Sequence, residues 1–215
     1  MTDSNMKILI LLLCVFCFAI EAGADTFSVR VNASSDDAEE SIELSNQMDL
    51  LSSDLELLFE VDSTPASGQW VGMRFTNVTI PKGAVINNAH VQFATDETGT
   101  NSTSVTIAGE AVDYATTFTS TAGNISGRTL TTASVSWSSI PAWNTLQEAG
   151  VNQRTPNIAS IIQEIVNRSG WASGNDINII IHSGNGGTRT AESYDGSPSE
   201  APLLFVDYSV ERRMW

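Results

Sequence analysis

Beyond its first 24 residues this 215-residue chain has no cysteine, since both, Cys14 and Cys17, lie in an apolar run near the start. Exported without them, it cannot be a disulfide scaffold, a thiol enzyme or a zinc–thiolate protein, so its stability rests on core size and on any ion it binds. Positive charge is equally scarce: 10 Lys and Arg stand against 25 Asp and Glu, a formal net charge of −15. Counterion release from a phosphate backbone needs clustered Lys and Arg, so nucleic acid is excluded as a partner, and anionic membranes are disfavoured by the same repulsion. The hydrophobic fraction of 41% is too high for a disordered acidic tail. No Gly-x-Ser-x-Gly elbow, His-Glu-x-x-His pair or EF-hand loop occurs. The run Gly184-Asn-Gly-Gly187 lacks the lysine of a phosphate loop. With no nucleophile–base constellation, the chain reads as a non-enzyme.

What is present begins with Ile8–Ile20, 13 apolar residues between Lys7 and Ala22-Gly23-Ala24. That is the charged start, apolar middle and small-x-small end of a signal peptide over residues 1–24, cleaved after Ala24. The run is too short to span a bilayer. No lipobox and no apolar C-terminal tail occur, so the remainder, 25–215, is expected as a single secreted domain without membrane anchor. Its acidity is concentrated early: Asp25–Asp62 holds 11 acidic residues against Arg30 alone. Five N-x-S/T sequons, at Asn32, Asn77, Asn101, Asn124 and Asn167, are candidate glycosylation sites.

Period-two alternation marks Thr26–Val31, Ala89–Phe93 and Ile177–Ile181 as half-buried strands. Similar runs occur at Leu55–Val61, Trp70–Phe75, Ser104–Ile107, Ser134–Trp137 and Leu203–Tyr208, separated by Gly, Asn, Ser and Pro. The pattern predicts an all-β, two-sheet antiparallel sandwich. One stretch breaks it: Ile158, Ile161, Ile162, Ile165 and Val166 recur at helical spacing. A short α-helix is expected over 156–168, capped by Thr155, started by Pro156 and closed at Gly170, with Gln163 on its polar side.

Several segments taken in order resemble a known secreted module. They are Ser35-Asp-Asp-Ala-Glu-Glu40, Ser53-Asp-Leu-Glu-Leu57, Val71-Gly-Met-Arg-Phe75 with Ile80-Pro-Lys-Gly-Ala84, Ala89-His-Val-Gln-Phe93, and Arg189-Thr-Ala-Glu-Ser-Tyr-Asp-Gly196 with Ala201-Pro-Leu-Leu-Phe-Val-Asp-Tyr208. Over Phe27–Tyr208 the chain resembles the DNRLRE-type modules related to the family-96 carbohydrate-binding modules. The resemblance implies a jelly-roll-like sandwich, a non-catalytic role and polysaccharide binding. In the loop before the last strand, Arg189 and Tyr194 are candidate ligand-binding residues.

Asp36, Asp37, Glu39 and Glu40 set four carboxylates within five residues. Such a group either stays solvated or gathers a cation, and Ca2+ suits hard oxygen ligands outside the cell. Asp195, in the loop before the last strand, is the candidate ligand from a second segment. Trp137 and Trp143 lie in or beside loops, where an indole either plugs the core or offers a flat face to a sugar ring. Two functions from different classes follow: a secreted module holding an extracellular polysaccharide with a structural Ca2+, or an acidic matrix protein whose N-terminal face meets calcium or a mineral surface. An accessory domain of an extracellular hydrolase is a third reading.

Overall fold

A computed structural model describes residues 20–60 and 67–213. Most of the segment read as a signal peptide, residues 1–19, lies outside them. The fold is an antiparallel β-sandwich with a single α-helix among the described residues. The larger sheet has seven strands. Along its main path these are β10 (Leu130–Trp137), β9 (Thr103–Glu110), β11 (Asn175–Gly186), β6 (Ser67–Val78), β2 (Asp37–Ser41) and β3 (Gln47–Asp49), while β5 (Phe59–Glu60) also pairs with β6. Facing it is a three-stranded sheet, β1 (Ile20–Arg30), β13 (Leu203–Arg213) and β7 (Val85–Gln92), in that order. A short third sheet, β4 (Asp54–Glu56), β12 (Thr190–Glu192) and β8 (Thr95–Glu97), accompanies them.

Alternation explains the two large sheets. Val71, Met73 and Phe75 of β6 stand in register with Ile181, Ile179 and Ile177 of β11, and Ile107 of β9 follows opposite Ile181. All are buried in one core with Ala89 and Val91 of β7 and Leu204 and Val206 of β13. Side chains of the intervening residues point to the other face. There Ile180 is also buried, because Phe118 and Ile125 of the β9–β10 connection fold over it. That cover fits closely at Gly72, where a Cβ would lie 2.4 Å from the Phe118 ring.

The first strand starts at Ile20 and pairs with β13 from Ile20 opposite Arg213 to Arg30 opposite Leu203. Cleavage after Ala24 would leave the rungs from Asp25 opposite Tyr208 onward.

The helix α1 spans Ala159–Val166, shorter than expected at its start. The physical reason is competition for the chain before it. Thr155 does not cap: its amide donates to Val91 and its Oγ1 accepts the Val91 N–H at 3.0 Å. Residues 154–158 thus run along the free edge of β7 as an irregular strand, Ile158 donating to Ala89. The Asn157 Oδ1 accepts the Ala159 amide at 2.9 Å instead. Ile158, Ile161, Ile162 and Ile165 are buried as the spacing predicts, packed against β7, β9 and β10. Each such burial is worth roughly 1.5–3 kcal/mol.

Candidate functional sites: an inward acidic run, a carboxylate sheet and an open aromatic face

The acidic run Asp36–Glu40 is neither a solvated loop nor one cage. It continues into edge-side strand β2, which hydrogen-bonds to β6 on one side and β3 on the other. Strand geometry sends Asp37 and Glu39 to one face and Asp36 and Glu40 to the other, so the four cannot converge on a single ion. Each has its own partner. Asp36 pairs with Arg74 at 2.7 Å, and Arg74 also holds Asp176 at 2.5 Å. Asp37 accepts the Tyr194 amide at 2.8 Å. Glu39 accepts the Glu56 amide at 2.6 Å. Glu40, fully buried, accepts the amides of Ile125 and Ser126 at 2.8 Å and the Ser126 hydroxyl. Glu40 therefore pins the loop that carries Ile125 over Ile180. An acidic N-terminal face toward mineral is not what this run forms: its side chains are turned inward and occupied.

Asp195 is exposed and accepts the Ser34 hydroxyl at 2.9 Å. Its charge, with that of Asp36, adds to burial in pushing Asp37 up to about 7, against the lowering effect of the Tyr194 N–H. Glu39 and Glu56 face one another in the interior, and burial raises both. Glu56 is raised further because Glu39, Asp54 and Glu60 all lie near it.

Trp143, Trp137 and Arg189 are structural. Trp143 is fully buried, donates its indole N–H to the Asn152 carbonyl at 3.0 Å, and packs beside Phe93, which stacks on Trp137. The loop bearing Trp143 is drawn inward by a bridge to Gly99, so neither indole presents a face to a sugar. The Arg189 guanidinium, 1% exposed, spends its N–H groups on the carbonyls of Pro141, Thr188, Asn101 and Ile140 and on the Thr103 hydroxyl. No donor is left for a ligand. Tyr194 is half-buried against the core.

Where the sequence offered an acidic run, the fold assembles a different carboxylate group on the short sheet. Leu55 and Ala191 face the core, and Asp54 stands opposite Glu192 on the reverse face. The register between β12 and β8 shifts so that Thr190 opposes Glu97 and Ala191 opposes Thr95. Asp96 is the extra residue of this bulge, the device by which a strand re-aims a side chain. Carboxylate oxygens of Asp54, Asp96 and Glu97 consequently lie within 4.8 Å of one another. Burial pushes the Glu192 carboxyl up to about 7, helped by the charges of Asp96, Glu200 and Asp54. Burial and the Asp54 charge also raise Asp96. None of Asp54, Glu56, Asp96 and Glu192 forms an ion pair among the described residues.

A cavity of about 170 Å³ lies nearby, lined by Glu39, Asp49, Ser52, Glu60 and Gln69 among others. The Gln69 Oε1 is buried there without a hydrogen-bond partner.

The Phe118 loop covers the outer face of the seven-stranded sheet around Ile180. At the edge of that cover Trp70 of β6, packed partly against the Phe118 cluster, forms a cross-strand pair with His182 of β11, ring centroids 4.9 Å apart and planes inclined by 30°. Both are half-exposed. Register extends the row to Thr106 of β9, then to Ser136 of β10. Ser134 and Ser104 flank it on the same face. Burial lowers the His182 pKa, so the imidazole against Trp70 is neutral at pH 7.

Among the sequons, Asn32, Asn77, Asn101 and Asn167 are exposed. Asn124 is half-buried, and its Oδ1 accepts from the Thr119 amide and Arg128.

Trp70 and the Asp54–Asp96–Glu97 group both escaped sequence reasoning. Trp70 read only as a strand residue, and its partner lies 112 positions away. No model of a known protein family matches the chain, and neither does any curated protein sequence.

Proposed function

We propose that this protein is a secreted, non-catalytic module that binds a neutral extracellular polysaccharide on the open outer face of its larger sheet. The observation that carries the reading is the row Ser136–Thr106–His182–Trp70, which sets an indole beside a line of hydroxyls on one face of the sheet. A pyranose ring presents an apolar C–H face and a polar rim, and such a surface matches both. A neutral His182 adds a ring nitrogen for hydrogen bonding without placing a charge against the indole. The net charge of −15 favours an uncharged glycan over a polyanion. The resemblance to the DNRLRE-type modules and the signal-like residues 1–24 support the same reading. The engagement of both histidines by aromatic rings, His182 by Trp70 and His90 by Phe205, supports a non-catalytic role.

Retention on a panel of immobilised neutral polysaccharides tests this. Trp70→Ala is expected to weaken binding about tenfold, equivalent to about 1.4 kcal/mol, while Asp195→Asn leaves it unchanged. Wild-type protein retained by none of the panel, or Trp70→Ala retained as well as wild type, would sink the reading.

A further inference from the structure

We infer that β1 is a self-association edge: the protein forms a two-fold dimer in which β1 of one copy pairs antiparallel with β1 of a second, the dyad passing through Ser28. The register decides which backbone groups are on offer. Val31 continues the β1–β13 pairing and donates its amide to the Pro202 carbonyl at 3.0 Å, so the odd-numbered residues are the ones bonded to β13. In an antiparallel ladder the alternate residues then point away. The N–H and C=O groups of Thr26, Ser28 and Arg30 consequently line the other side of β1, and among the described residues no backbone hydrogen bond crosses that side. The remaining edges of the two facing sheets are occupied or short. Residues 154–158 run along β7, and the Glu164 carboxylate takes the Thr132 and Ala133 amides of β10 at 2.9 and 2.7 Å. Strand β3 has three residues. From Thr26 to Arg30, β1 has no proline, bulge or inward charge to blunt it.

A second copy fits this edge because the strand is complementary to itself. Phe27 and Val29 pack against the core but stay half-buried at the edge of their sheet. Opposed residues of antiparallel strands share a face, so a dyad at Ser28 sets Phe27 of each copy opposite Val29 of the other on the core side. Thr26 meets Arg30 on the outer side. A dyad at Phe27 would instead set Asp25 opposite Val29 toward the core, a register that burial of an apolar face selects against. Charge matches as well. Arg30 has Glu200 near it but forms no ion pair among the described residues. Thr26, its counterpart across the dyad, stands opposite Asp207 of β13. Arg30 of each copy thus shares an outer row with Asp207 of the other.

The dimer joins two three-stranded sheets into one of six strands. Its dyad is perpendicular to that sheet, so the outer faces of both larger sheets look the same way. A long glycan then meets two Trp70 rows, which raises avidity without a new contact; this consequence rests on the function proposed above, whereas the pairing itself does not.

Sedimentation equilibrium and oxidative crosslinking, with no glycan present, test the pairing. Wild type is expected to be a monomer–dimer mixture whose dimer fraction rises with added sodium chloride, which screens the repulsion between two chains of −15. Ser28→Pro removes the outward N–H at the dyad, leaves the β13 ladder intact, and should raise the dimer dissociation constant at least tenfold. Ser28→Cys sets two thiols across the dyad with Cα atoms about 5.5 Å apart, within disulfide reach, and should crosslink under mild oxidation. Thr26→Cys, displaced from its copy by about 13 Å along the strands, should not, and wild type controls for Cys14 and Cys17. The inference is overturned by wild type that stays monomeric up to about 1 mM, by folded Ser28→Pro that dimerises as wild type does, or by Ser28→Cys that crosslinks no more than Thr26→Cys.

Discussion

Arg189 shows how a charged side chain can serve the fold alone. Every N–H of its guanidinium meets a carbonyl or hydroxyl oxygen, four of the acceptors being backbone carbonyls from three separate segments. Arg189→Met would strand those carbonyls in the interior at roughly 1–3 kcal/mol each where water cannot replace the donor. We expect a loss of at least about 3 kcal/mol from urea midpoints, and a loss below about 1 kcal/mol would show that the carbonyls find other donors. Asp37 makes the opposite case. Burial, with the charges of Asp195 and Asp36, raises it from 3.8 to about 7 in the folded state. The folded protein therefore binds the extra proton, and the stability this contributes is full below pH 3.8 and lost as pH rises through about 7. Asp37→Asn removes the buried charge but keeps an oxygen for the Tyr194 N–H. Its melting temperature should exceed that of wild type at pH 8, the gap closing between pH 7 and 4. A gap that does not change with pH would mean Asp37 is ordinary.

At the scale of elements, α1 gives the sharpest contrast. Ile162, fully buried, should cost about 2–5 kcal/mol when cut to alanine. Gln163, expected on a polar side, instead accepts the Ile86 amide at 2.9 Å and donates to the Ala84 carbonyl at 2.9 Å, tying the helix to the start of β7. Gln163→Ala should thus cost about 1–2 kcal/mol rather than nothing, and denaturant midpoints for the two variants decide both values. The helix shows what a sequence can tell. Its apolar face was legible because isoleucines at 3.6 spacing carry their own period. Its cap was not, because Thr155 is claimed by Val91, 64 residues earlier. The alternating strands were legible for the same reason of period. Strand β2 was hidden because its residues are acidic, and what makes burial tolerable, Arg74, Tyr194, Glu56 and Ile125, arrives only through tertiary pairing. Trp143 misled because a tryptophan after Pro141-Ala142 reads as exposed until the bridge to Gly99 is known. Asp54 and Glu192 each stood in a segment noticed for its resemblance. Only the β4–β12 pairing makes them neighbours.

On the scale of the whole molecule, a chain of −15 gains stability on mild acidification, because protonating carboxylates relieves repulsion in the compact state. Asp37 works in the same direction. His90 works against it. Standing on the outer face of the three-stranded sheet, it stacks on Phe205 at 5.0 Å. Burial, and secondarily the nearby Arg154 charge, lowers its pKa from 6.5 to about 4. The unfolded chain therefore binds the proton more readily. The neutral ring's contribution is complete above pH 6.5 and is lost progressively as pH falls toward 4. Replacing His90 with glutamine keeps a polar residue on β7 and removes the titration. The melting temperature of wild type minus that of His90→Gln should decline as pH falls from 7 to 4 and level off below, at any fixed salt concentration. Repulsion across the molecule acts on both proteins alike and cancels in the difference, so a difference constant over this range would mean that His90 titrates as it does in the unfolded chain.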